Sequence, residues 1–221
     1  MIYAIPDIHG RFDLLKLALA DIERDKPGKV VFLGDYVDRG PESCQVLDRL
    51  MKGPPEGWEW TCLVGNHEEW FIDSVERHVA NIDWIQCGGD RTIASYGMNP
   101  HDPLIIPNKM MSDHIRWLSS QPHALVLDNH AFVHAYLADG VPIEDHTVEE
   151  MTWGYYRKIE TGGWNGKYVC HGHIADPRGP REYKMRLALD ACAHETGNLM
   201  VAVFDENLYQ PVEIFKAGER I

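Results

Sequence analysis

Lys29-Val30-Val31-Phe32-Leu33-Gly34-Asp35-Tyr36-Val37-Asp38-Arg39-Gly40 reads as a buried strand running into a polar loop bounded by glycines. Val30 to Leu33 are apolar without a break, as in a strand covered on both faces, and Asp35 follows at the strand's carboxyl end. The same grammar occurs upstream, where Ile2 to Pro6 runs into Asp7-Ile8-His9-Gly10, and downstream, where Thr61 to Val64 runs into Gly65-Asn66-His67-Glu68. A helix is predicted after each loop. Phe12, Leu15, Leu19 and Ile22 recur at helical spacing in the first, and Pro41 suits the opening turn of the second, whose apolar side is Val46, Leu47, Leu50 and Met51. Trp70, Phe71 and Val75 mark the third, beyond a loop at Gly53-Pro54-Pro55-Glu56-Gly57.

Three strand-loop-helix units in succession predict an α/β fold with a largely parallel sheet, so the three polar loops converge at one edge. In an extended segment Asp7 and His9 would share a face and could bind one ion together. Asp35 could place one carboxylate oxygen on each of two ions about 3.5 to 4 Å apart, and Asn66 could offer a neutral amide oxygen to the second. His134, and His171 or His173 in Cys170-His171-Gly172-His173, stand at later strand ends and could complete that set. Carboxylate, imidazole and amide donors together suit Mn, with Fe, Zn or Ni as alternatives. Taken singly, Asp-x-His-Gly or Gly-Asn-His-Glu is equally a turn that starts a helix; three such loops at successive strand ends point to a two-metal hydrolytic site.

Residues from about 83 to 121 are less periodic and read as a helical and loop cap beside the site, interrupted at Gly88-Gly89-Asp90 and Gly97-Met98-Asn99-Pro100. Ala124 to Leu127 and Ala131 to Val133 form a predicted hairpin. Tyr168 to Cys170, Leu187 to Leu189, Met200 to Phe204 and Leu208 to Phe215 are four further β runs, enough for a second sheet packed on the first. The 221 residues fit one domain over positions 1–221. A formal net charge of −13 disfavours a nucleic-acid duplex or an anionic membrane as partner, although a local cluster of cations and Arg can still draw a phosphoester. The five scattered cysteines include no CxxC pair and read as free thiols. With no run of roughly 18 apolar residues, and with Asp7 reached within one strand's length of Met1, the expected location is the cytoplasm.

On these residues the chain resembles the calcineurin-like metallophosphoesterases, and within them the phosphoprotein phosphatases acting on Ser and Thr, most of all the small bacterial and lambda phage members. The three loops match that family's signature without a gap, and the resemblance fades toward Phe204. It implies a β-sandwich of two mixed sheets flanked by helices. It further implies Asp7, His9 and Asp35 on one ion, and Asp35, Asn66, His134 and His173 on the other, with His171 left as understudy. His67 is implied to be the general acid oriented by Asp38, and Arg39 the guanidinium that grips phosphate oxygens together with His67. The implied reaction is hydrolysis of a phosphate monoester by in-line attack of a water bridging the ions, without a phosphoenzyme. Substrates would be phosphorylated proteins or small phosphoesters; oligomeric state is left open.

The chain also departs from the pattern. A second phosphate-binding Arg would follow a Trp closely, whereas Trp153-Gly154-Tyr155-Tyr156-Arg157 leaves only Arg157, four positions on. Tyr136 replaces a small residue after His134-Ala135, and Leu189-Asp190-Ala191-Cys192 replaces an Asp-Thr-Gly-like segment. A rival within the fold is hydrolysis of diadenosine tetraphosphate or another nucleotide; members with that activity usually carry Ala at the position of Asp38 and Asp at that of Glu68. A rival of another class is a non-enzymatic scaffold, expected to have lost His67 or several ligands.

Overall fold

The computed structural model describes residues 1–156 and 162–220. Strands β1 (Ile2–Ile5), β2 (Lys29–Phe32) and β3 (Glu59–Cys62) alternate with helices α1 (Phe12–Ile22), α2 (Ser43–Met51) and α3 (Asn66–Glu76). The three strands pair in parallel, with Ile2 opposite Lys29 and Lys29 opposite Glu59. Their carboxyl ends therefore open on one edge, as the three repeated units require.

The middle segment holds α4 (Ile82–Trp84), a π-helical turn at Ile85–Gly89, α5 (Asp90–Ser95) and α6 (Lys109–Leu118). The expected break at Gly88-Gly89-Asp90 is present as a kink. Gly88, at φ 107°, leaves the helical region and separates the turn that follows α4 from α5. The rest comprises β4 (Ala124–Val126), β5 (His130–Val133), α7 (Val148–Trp153), β6 (Tyr168–His171), β7 (Arg181–Tyr183), β8 (Arg186–Ala188), α8 (Ala193–Thr196), β9 (Met200–Phe204) and β10 (Glu213–Lys216).

Two five-stranded mixed sheets result, ordered β10-β9-β1-β2-β3 and β4-β5-β6-β8-β7. The predicted hairpin is β4 and β5, antiparallel with Ala124 opposite Val133. Not all four later β runs enter the second sheet, however. β9 pairs antiparallel with β1 and carries β10 with it, which extends the first sheet. β10 also starts only at Glu213, because Pro211 offers no N–H to a ladder and Asp205 to Asn207 fold into a turn. The fifth strand of the second sheet is β7, three residues too short and too polar to show a period.

Side-chain alternation along the strands builds two cores. Ile2, Ala4, Val31 and Leu33 meet Phe132, Tyr168, Cys170 and Leu187 between the sheets. Tyr3, Ile5, Val30 and Phe32 face the opposite way onto Leu15, Leu47, Phe71 and Leu118 of the helices. On the outer face of the second sheet, Val133 and Val169 pack on Met151 of α7 and on Trp164. A strand buried on both faces is held against slipping by one residue, since either core would lose its side chains. That fixes where each polar loop begins.

Candidate metal centre and active site

Asp35, His9, Asn66, His67, His134 and Asp7 are all at most 3 % exposed, an unusual depth for six polar groups in one place. The loops hold them in costly backbone conformations. His9 (φ 45°), Asp35 (φ 53°), Asp38 (φ 73°), Arg39 (φ 64°) and His173 (φ 59°) all lie in the left-handed region, which non-glycine residues rarely adopt. Because of the turn at His9, Asp7 and His9 do not share a face of an extended strand. His9 turns toward Val37, Arg39 and Asp35, while the Asp7 carboxylate accepts the His173 N–H at 3.2 Å. Gly172 permits that approach, since a Cβ there would collide with Asp7 Oδ1.

Asp35 stands between two groups of imidazoles. Its Oδ2 lies 3.7 Å from His9 Nε2 and 3.9 Å from His67 Nε2, and its Oδ1 lies 3.4 Å from His134 Nε2. His9, Asp35 and His67 form one cluster with ligand atoms within 4.8 Å of one another, and Asp35, His134 and His173 form another. Asn66 Oδ1 joins the second, 2.9 Å from His134 Nε2 and 3.1 Å from His173 Nδ1. Asn66 and His67 are the first two residues of α3 rather than parts of an extended loop. They diverge because successive helical positions point about a third of a turn apart.

The protonation states suit cations. Burial pulls His9 and His134 below the ordinary imidazole value and takes His173 down to about 3, so all three rings are neutral near pH 7. His134 donates Nδ1–H to the Leu33 carbonyl at 2.9 Å, leaving its Nε2 lone pair aimed at the oxygens of Asn66 and Asp35 with no proton between them. Fixing a ring through a backbone carbonyl in this way is common among metal-ligating histidines. His173 Nε2 is buried and has no hydrogen-bond partner among the described residues. Burial, and then the neighbouring charges of Asp190 and Asp35, raise the Asp7 carboxyl well above its usual range. Burial also acts upward on Asp35, but the imidazoles of His134, His67, His9 and His173 around it outweigh that and put its carboxyl below the usual range. Converging lone pairs and crowded carboxylates are what divalent ions satisfy. The donor set therefore fits a metal pair.

Beside this cluster, His67 Nδ1 lies 2.5 Å from Asp38 Oδ2. Burial pulls the His67 imidazole down, but Asp35 and Asp38 more than restore it, and its pKa is raised overall. Arg39 reaches both sides, with Nη1 2.9 Å from His9 Nε2 and Nη2 3.1 Å from His67 Nε2. Arg157 lies outside the described residues. His171 is turned away from the cluster, between the Gly172 carbonyl and Arg186 Nη1 at 2.8 Å each, so it does not compete with His173. Tyr136, the departure after His134, meets Tyr156 edge to face at 4.6 Å between ring centroids.

Several further residues support the site. Asp38 accepts from Trp84 Nε1 at 2.8 Å and from Thr92 Oγ1 at 2.6 Å, both from the helical middle segment. The Glu68 carboxylate accepts the N–H groups of Asp35, Tyr36, Val37 and Gly65, which welds the Asp35 loop to the start of α3. Asp190, from the segment that departs from the family pattern, is buried close to Asp7.

The profile described as calcineurin-like phosphoesterase matches residues 1–177. The chain belongs to that family. It is similar to serine/threonine-protein phosphatase 2 of Escherichia coli, 38 % identical over 90 residues that cover 40 % of this chain and 38 % of that protein. It is also similar to a symmetrical bis(5'-nucleosyl)-tetraphosphatase of Janthinobacterium, 33 % identical over 138 residues covering 60 % of this chain and 42 % of that one. The chain thus spans about two fifths of the length of these curated relatives. Among solved structures, a putative diadenosine tetraphosphatase superposes with a TM-score of 0.69 at 24 % identity, over 97 % of this chain and 91 % of the other. A protein-tyrosine phosphatase of Shewanella gives 0.61 at 15 %, over 98 % and 80 %. At these identities the likeness concerns the fold, two mixed sheets flanked by helices.

Proposed function

We propose that this member of the family is a dinuclear metal-dependent hydrolase of phosphate monoesters, with phosphoserine or phosphothreonine proteins as its substrate class. The observation that carries the reading is the position of Asp35, one carboxylate oxygen toward His9 and His67 and the other toward His134. Asp7, His9 and Asp35 would hold one ion, and Asp35, Asn66, His134 and His173 the other. Divalent ions, Mn for this mixed donor set, supply Lewis acidity toward phosphoryl oxygens and water.

The chain's own groups then divide the remaining work. In the structure Arg39 donates to the Nε2 atoms of His9 and His67, and an ion held by His9 would displace it from that ring, whose Nδ1–H is already given to the Val37 carbonyl. A phosphoryl group entering the pocket draws the guanidinium onto its own oxygens, because a charged bidentate pair outcompetes bonds to neutral imidazoles. His67 Nε2 is then free to carry a proton to the departing alkoxide oxygen, while Asp38 keeps Nδ1 protonated and the ring aimed. Arg157 is the remaining candidate for a second grip on phosphate.

We read the chain as one domain whose region from about 83 to 121 caps the site, and the cytoplasm as its place. The five cysteines are free, and among the described residues no helix is long and apolar enough to cross a membrane. A second reading, cleavage of dinucleoside tetraphosphates, is favoured by the longer stretch of likeness to the Janthinobacterium protein. Asp38 and Glu68 argue for the first. Metal-stripped protein given Mn and offered a phosphoserine peptide and diadenosine tetraphosphate in parallel decides between them by the faster product release. Turnover of neither would point to a scaffold.

A further inference from the structure

His194 lies on the short helix α8, which follows Cys192 in the left-handed conformation at φ 55°. Arg11 Nη1 ties this turn to the first motif loop by donating to the Ala193 carbonyl at 3.0 Å. The His194 ring meets the His9 ring edge to face, with centroids 5.2 Å apart, and the charges of Arg39 and His67 reach it. His194 therefore lies beside the groups assigned to phosphate through its contact with His9, yet it belongs to neither metal-type cluster.

Among the described residues its Nδ1 is buried and has no hydrogen-bond partner. Nε2 lies 3.4 Å from an oxygen of Glu195, a carboxylate 70 % exposed, which is too long and too wet a contact to fix the ring. Buried polar atoms are nearly always paired, and one left over beside a functional pocket calls for a partner that arrives from outside. The neighbouring guanidinium sets the sign of that partner. A further cation would be repelled by Arg39, whereas an anionic acceptor would be shared between them.

We propose that His194 is a substrate-binding residue whose Nδ1–H donates to a phosphoryl oxygen on the His9 side of the pocket. The identity of the ligand rests on the phosphoesterase reading; the burial of Nδ1 and its place beside Arg39 do not. Arg39 would then hold the phosphoryl group by a planar fork and His194 by a single bond from another direction, which together restrict its rotation.

The test is calorimetric titration of Mn-loaded protein with inorganic phosphate, alongside steady-state hydrolysis of p-nitrophenyl phosphate. His194→Ala should weaken phosphate binding by about tenfold and raise KM by a similar factor, the usual scale for one bond to a charged oxygen, with metal content unchanged. His194→Asn, which returns an N–H donor close to the position of Nδ1, should recover most of the loss. Unchanged phosphate affinity in His194→Ala would overturn the proposal. So would a loss that His194→Asn fails to recover and that follows a fall in melting temperature, since this would make the ring a packing element. A wild-type protein that binds phosphate but hydrolyses no ester would sink the catalytic reading while leaving the titration of His194 decisive.

Discussion

The Asp38 carboxylate sits 2.5 Å from His67 Nδ1 and is itself held by Trp84 Nε1 and Thr92 Oγ1, two donors contributed by the helical segment that follows α3. Asp38 is fully buried, so each of these donors offsets part of the cost of keeping a carboxylate out of water. If His67 is the acid, the helical middle segment would act on it through Asp38.

Replacing Trp84 by Phe keeps most of the ring volume and removes one donor from Asp38. Turnover of an alkyl phosphate should fall by roughly tenfold, while an activated aryl phosphate, which needs little protonation, should be almost unaffected. Thr92→Val should behave alike. Equal losses on both substrates would mean that these residues support the loop and not the proton transfer.

His67→Asn tests the acid directly. Loss of a positioned proton donor should slow poor leaving groups by on the order of a hundredfold or more and activated ones far less. The readout is the dependence of log kcat on leaving-group pKa, which should steepen in the variant. A slope equal to that of the wild type would remove His67 from the role.

Much of this site was legible because its residues are local in sequence. Asp7, His9, Asp35, Asn66 and His67 come from three loops that end three parallel strands, and hydrophobic runs reveal such strands without any knowledge of long-range pairing. Trp84, Thr92 and Asp190 were illegible for the opposite reason. Trp84 and Thr92 serve Asp38 from 46 and 54 residues away, and a Trp or Thr on a helix carries no sign of which carboxylate it will meet. The mixed topology was hidden in the same way. β9 reads as a strand in any register, and only the pairing of Ala202 with Ala4 assigns it to the first sheet. The preference for His173 over His171 rested on the resemblance alone, and the reason in this chain is three-dimensional, since Arg186 claims His171.

Asp35→Asn probes the bridge. The amide cannot offer a charged oxygen to each side, so both metal positions should weaken together, and elemental analysis should find well under the wild-type metal content after dialysis. The same variant should lose most of the rise in melting temperature that Mn gives the wild type, because that rise scales with occupancy. Full content and an unchanged thermal response would refute the bridging assignment.

The final expectation concerns pH and a histidine turned away from the Asp35 cluster. Burial, and then the neighbouring Arg186 guanidinium, hold the His171 imidazole down to about 3, with Nε2 accepting from Arg186 Nη1. In the unfolded chain the same ring titrates at about 6.5, so between those values the unfolded state binds the extra proton. Stability from this residue is therefore intact above pH about 6.5 and falls by about 1.4 kcal/mol for each unit of acidification below it. His171→Gln can still accept from Arg186 but does not titrate. Urea unfolding of chelator-treated protein at pH 7 and pH 5 should show a smaller loss for the variant than for the wild type, by an amount set by that slope. The comparison cancels the shared contributions of His9, His134 and His173. Parallel losses in the two proteins would mean that His171 is already protonated in the fold, with Arg186 bound elsewhere.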